Sequence, residues 1–174
     1  VNGNLEVTQS AVGNVSMSGT VLYIGTTHNI TTYLIKKTYF DELRYSKGIA
    51  RWTSNFTPPT SPYTVDAYTK LLLHFDTAPF TDETGKTVTT YGDVKPIKTV
   101  YADGARSAVF DGTNDSFIVG DTSTFNFLHQ LGTNGKWTLE VLYFTKAYQT
   151  TQNIIDNTNG LSSGVGLGIF VRSA

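Results

Sequence analysis

The sequence predicts an all-β protein, an antiparallel β-sandwich. Three observations predict it. Charged residues are sparse at 16%, while hydrophobic residues reach 39% and aromatics 13%, enough for a packed core without the Glu/Lys/Ala surfaces that helices need. Thr, Ser, Asn and Gly are abundant, and β-branched Thr suits a half-exposed pleated surface. Short stretches of period-two alternation recur between polar turns, the signature of many short strands joined into a sandwich.

Taken in order, Val1-Asn2-Gly3-Asn4-Leu5-Glu6-Val7 reads as two short extended pieces around an Asn-Gly turn. Thr20 to Gly25 is a strand ended by glycine. Thr38 to Tyr45 is another, with Asp41, Leu43 and Tyr45 expected on one face and Phe40, Glu42 and Arg44 on the other. On that pattern Glu42 and Arg44 form a solvated ion pair of little weight. Asn55 to Tyr63 holds three of the five prolines and stays extended without a ladder, either as an inter-domain linker or as a strap on a domain surface.

Lys70 to Asp76 is apolar on both sides and predicts a buried strand. Ser107 to Gly112 and Ser116 to Gly120 flank Thr113-Asn114-Asp115 and predict a hairpin. Trp137 to Phe144 is a long central strand with Trp137 in the core. Val165, Leu167, Ile169 and Val171 alternate with Gly166, Gly168, Phe170 and Arg172. A brief helical turn is expected only over Thr124 to Leu131.

The length of 174 residues fits one domain, able to bury roughly 70% of its unfolded surface without staples. A formal charge of −1 leaves no basic stripe for phosphates, so nucleic acid is not an expected partner. The absence of cysteine removes disulfides and thiolate metal sites. No apolar run approaches the roughly 20 residues that span a bilayer, so no membrane insertion is expected. Val1-Asn2-Gly3 has neither the basic nor the apolar region of a signal peptide, so an export signal is expected outside this stretch.

Tyr39-Phe40-Asp41-Glu42-Leu43-Arg44-Tyr45-Ser46-Lys47-Gly48-Ile49-Ala50-Arg51, running into Trp52 and Phe56-Thr57-Pro58-Pro59, resembles the closing strand and tail of concanavalin A-like, laminin G-like jelly-roll domains found in phage tail, virion and bacterial surface proteins. Lys70-Leu71-Leu72-Leu73-His74-Phe75-Asp76, with Ser107 to Gly112 and Trp137 to Val141, resembles the opening half of the same domain. Val1-Asn2-Gly3 is similar to a strand past the family's midpoint. The closing block precedes the opening block. Residues 1–65 would thus be the C-terminal part of one sandwich with its linker. Residues 66–174 would be the N-terminal part of a following sandwich, or of the same sandwich permuted. A slice across a domain junction is the favoured reading.

Enzymes on this fold that cleave glycans use two or three carboxylates alternating along one strand. No Glu-x-Asp-x-x-Glu pattern occurs, Asp41 and Glu42 are adjacent, and Glu140 stands alone between Leu139 and Val141. His28, His74 and His129 sit where a solvated or satisfied histidine is expected, so the reading is non-catalytic, with glycan hydrolysis a remote alternative. Asp111, Asn114, Asp115 and Asp121 offer hard oxygen ligands on neighbouring loops, a candidate calcium site, with Asp76 and Asp82 near the same rim. The plainer reading has Asn114 and Asp115 building the turn. Tyr33, Tyr91, Tyr101 and Tyr148 fall in polar loops and are candidate glycan-stacking faces. The expected function is therefore a structural or adhesive module, extracellular or on a virion surface, binding glycans or other subunits of its assembly, with self-association into an oligomer or polymer open. Purely architectural decoration without sugar binding is the alternative.

Overall fold

The computed structural model describes residues 2–6, 21–31, 33–101, 104–120, 125, 135–146, 151–157 and 168–171. These contain ten strands and no helix. They are β1 (Leu22–Ile24), β2 (Thr38–Lys47), β3 (Thr69–Leu73), β4 (Val88–Tyr91), β5 (Lys95–Ile97), β6 (Ser107–Phe110), β7 (Ser116–Val119), β8 (Trp137–Thr145), β9 (Gln152–Asp156) and β10 (Gly168–Val171). They form two antiparallel five-stranded sheets, a β-sandwich. One sheet runs β10-β9-β1-β7-β4; the other contains β3, β2, β6 and β5, with β8 also on β2. The parts of the turn at 124–131 and of the alternation at 165–172 that are not in these ranges lie outside the described residues.

β2 organises the second sheet. β8 pairs along its whole length, from Thr38 opposite Thr145 to Lys47 opposite Trp137. Its other edge is shared end to end: β6 takes Thr38 to Phe40, and β3 takes Leu43 to Ser46. A bulge falls at the junction, where the β2–β8 register shifts between Asp41 and Arg44 and Glu42 adopts a left-handed φ of 50°. The extra residue resets the alternation, so Phe40, Leu43 and Tyr45 all enter the core. The expected face assignment, with Phe40 opposite Leu43 and Tyr45, is corrected accordingly.

The core joins both sheets. Leu22, Ile24, Phe117, Val119 and Ile155 come from the first, and Phe40, Leu43, Leu71, Leu73 and Phe110 from the second. Phe110 meets Phe117 edge to face across the interface, with centroids 5.6 Å apart. That contact explains a second correction. β6 and β7 are not a hairpin: β6 pairs with β2 and β5, β7 with β1 and β4. Residues 111–115 carry the chain from one sheet to the other, because the apolar residues on both sides, Phe110 and Phe117, must face the same core from opposite layers. Both sheets also combine strands from the two sides of the proline-rich segment, since β1 pairs with β7 and β9, and β2 with β3, β6 and β8.

Candidate functional site

The proline-rich segment lies on the protein as a strap. Asn2 and Gly3 form the expected turn, both at left-handed φ, and the Gly3 carbonyl accepts from the Phe56 N–H at 2.8 Å. A Cβ on Gly3 would run into the Phe56 carbonyl, so glycine is required there. Asn55 Oδ1 accepts from the Leu5 N–H at 2.9 Å. At the far end, Tyr63 is buried, and its N–H donates to Glu42 Oε2 at 2.8 Å.

Beside the strap lies a chain of charged groups, several of them buried. Arg44 makes a two-pronged pair with Glu140, at 2.7 and 3.0 Å, and its guanidinium lies over the Tyr63 ring at 4.1 Å. The Trp52 indole N–H donates to Glu140 Oε1 at 2.7 Å. Arg51 reaches Ser46 and grips both oxygens of Asp66 at 2.9 Å. Glu42 is almost wholly inaccessible at 1% exposure, and its Oε1 lies 2.6 Å from His74 Nδ1. Glu42 and Arg44 are therefore not the solvated pair that alternation suggests. Each is buried with its own partner, because the bulge turns Glu42 into the fork between β3 and β6.

These contacts fix the walls of a groove of about 760 Å³. Its floor is the outward face of the second sheet, with Tyr39, Asp41, Glu140, Leu142 and Phe144. Trp52, Phe56, Pro58, Pro59 and Tyr63 of the strap wall it, and Val100 and Tyr101 line it from the β5–β6 connection. Trp52 stacks on Phe56 with centroids 3.9 Å apart and planes 11° from parallel. The groove continues around the β8 edge to Ile154, Ile169, Phe170 and Val171. Such an arrangement can hold an extended ligand with apolar faces against fixed rings and polar groups toward Asp41 and the backbone.

Of the four tyrosines singled out from sequence, Tyr101 lines this groove and is half exposed. Tyr91 is in strand β4 and not in a loop, where with Asp156 it flanks Tyr23, whose hydroxyl is pushed up by burial and by those two groups. Tyr33 is exposed on the β1–β2 connection, with its carbonyl accepting from Asn153. Tyr148 lies outside the described residues. Trp137 is not a core residue: it is partly exposed at the start of β8 and stacks on Tyr45. Trp52, Phe56, Phe144 and Asp41 are groove residues that single-residue reading passes over. The clustering of Trp52, Phe56 and the prolines was the available signal.

The carboxylates meet only in part. Asp111 and Asp115 come together with Asp93, which sequence reading did not include, with oxygens within 4.8 Å of one another. Asp115 Oδ2 accepts from the Asp111 N–H at 2.7 Å, and Oδ1 from the Asp93 N–H at 3.0 Å. Asp115 thus ties a sheet-crossing corner and not the hairpin turn expected from sequence, and burial raises its carboxyl with the Asp111 and Asp93 charges adding to the rise. Asn114 sits at φ 57°, beside Gly92, where a Cβ would strike both Asp115 and Asn114. With one oxygen from each, these three carboxylates would need further carbonyl or water oxygens to reach the six to eight that calcium takes. Asp76 instead accepts from the Ala105 and Arg106 N–H groups, and Asp82 from those of Leu72, Thr84 and Lys86. Asp121 lies outside the described residues.

His74 lines a shallow hollow with Thr77, Thr81 and Glu83. Among the described residues Glu42 is its one hydrogen-bond partner, and no hydroxyl or thiol nucleophile is engaged.

The fold and groove define a β-sandwich with an aromatic-walled cleft on one outer face. No protein-family model matches the chain, and no curated protein and no solved structure matches it.

Proposed function

We propose that the chain is a non-catalytic binding module of a surface or virion protein, of the concanavalin A-like, laminin G-like kind, that holds a glycan in the groove on the outer face of its second sheet. The observation that supports this is the fixed aromatic wall. Trp52 is held at its indole nitrogen by Glu140 and backed by Phe56, so a ring face is set in place before any ligand arrives. Preorganised rings of this kind bind the apolar face of a sugar with little ordering cost. Titration of a glycan that binds the intact protein should show at least a tenfold loss with Trp52→Ala and with Tyr101→Ala, while circular dichroism stays unchanged. Binding that survives both replacements would remove the groove from the function.

A second, architectural reading has its own observation. β8 pairs only with β2 among the described strands, and its Tyr143 and Phe144 are 40% and 50% exposed. The other edges of its sheet are blunted: β5 carries Lys95 and Pro96, and Leu72 of β3 is bonded to Asp82 and Glu83. Within Trp137–Thr145 a second copy adding its β8 antiparallel to this one would meet no uncompensated charge, because Glu140, the one charged residue there, is already neutralised by Arg44. Light scattering then shows a dimer that Val141→Pro converts to monomer. A monomer at every concentration would reject this reading.

A further inference from the structure

We infer that the groove selects neutral saccharide chains and rejects acidic ones, an inference that rests on the glycan reading above. Among the described residues that line the groove there is no Lys, Arg or His, and of the two carboxyl groups on its floor, Asp41 and Glu140, the second is neutralised by Arg44. The arginines beneath the floor are already engaged. Arg44 is spent on both oxygens of Glu140 and on the Tyr63 ring, and Arg51 on Asp66 and Ser46. Lys146, exposed past the end of β8, has its ammonium 5.1 Å from the centre of the Tyr39 ring.

Recognition of a uronate, sialate or sulfate relies on a donor fork or an ammonium that offsets the anion's loss of water. Among the described residues the groove lining has neither, and the Lys146 ammonium reaches only its rim, over the Tyr39 ring. Asp41 is buried at the floor, where carboxyl oxygens accept hydrogen bonds. It therefore matches sugar hydroxyls, which donate, and offers no cation to an acidic ligand. The rings of Trp52, Phe56, Tyr101 and Phe144 add apolar faces that stack on an uncharged pyranose and give an anion nothing.

The test is a glycan array carrying neutral chains together with uronate-containing, sialylated and sulfated ones, probed with the intact protein, with Trp52→Ala and with Asp41→Asn. Neutral hits, with acidic counterparts of the same backbone at least tenfold weaker, are the expected result. Neutral binding should also change less than twofold between 50 and 500 mM salt, since no ion pair to the ligand forms. Acidic chains that bind as well as neutral ones overturn the inference; if Trp52→Ala still abolishes that binding, the groove remains the glycan site and only its selectivity was misjudged. No hit on any chain, or hits indifferent to Trp52, overturns the glycan reading and the inference with it. Asp41→Asn is expected to narrow the neutral-to-acidic gap, and an unchanged gap in the folded variant removes Asp41 from the selectivity. The salt series on the unmodified protein keeps the inference falsifiable should that variant fail to fold.

Discussion

Glu42 shows how one residue joins local geometry to tertiary contact. Its φ of 50° marks the bulge, its burial puts a charge inside the protein, and its two oxygens engage His74 and the Tyr63 N–H. Glu42→Ala leaves a buried N–H and an imidazole without their acceptor and should cost about 2–4 kcal/mol in urea unfolding. Glu42→Gln keeps one acceptor oxygen and should cost clearly less. Asp66 gives a pH signature. Burial alone would raise its carboxyl, but hydrogen bonds from Thr69 and Arg51, the Arg51 charge and the Tyr68 N–H pull it down to about 2. A carboxyl lowered in the folded state adds stability above its ordinary value of 3.8, and that stability is lost as pH falls toward about 2. Asp66→Asn should therefore flatten the acid limb of the stability profile and leave its slope near neutral pH unchanged. The effect is modest because Asp66 is exposed and screened. The partners of Glu42 and the Arg51–Asp66 pair were not legible in sequence, because they are joined only by the tertiary fold, whereas Tyr68 and Thr69 lie two and three residues from Asp66.

At the level of elements, the β2–β8 pair carries the groove. Both strands were legible from their apolar and aromatic content. The bulge was not, since nothing in Asp41-Glu42-Leu43 announces a left-handed residue, and without it the alternation places Phe40 and Leu43 on opposite faces. The Arg44–Glu140 pair spans these strands with side chains 10% and 6% exposed. Removing one partner strands the other charge in the interior, so Glu140→Gln should cost about 3–5 kcal/mol. Replacing both with apolar residues, Arg44→Met with Glu140→Leu, should recover most of that loss. Urea unfolding of the two single variants and the double one measures the coupling. The same double variant frees the Trp52 indole nitrogen, so it should weaken ligand binding even where stability returns.

For the molecule as a whole, each sheet is assembled from strands on both sides of the strap, and Phe110 and Phe117 lock the two sheets together. Residues 66–174 alone would lack β1 and β2, which pair with five of the remaining strands. That portion expressed by itself should show neither a cooperative melt nor near-ultraviolet circular dichroism, whereas the 174-residue chain should melt in one transition. Two independent transitions in the chain would refute this.

What the sequence alone determined was the all-β class and most strand positions; it left the proline-rich segment open between linker and strap. These follow from propensity and from period-two patterning, which act over a few residues. Only the tertiary structure decided that β6 and β7 belong to different sheets, that Glu42 and Arg44 are buried with separate partners, and that Trp52, Tyr101 and Phe144 share one groove. Those outcomes depend on which distant segments meet, and burial of the same core from two layers is a condition on the whole chain that no local pattern encodes.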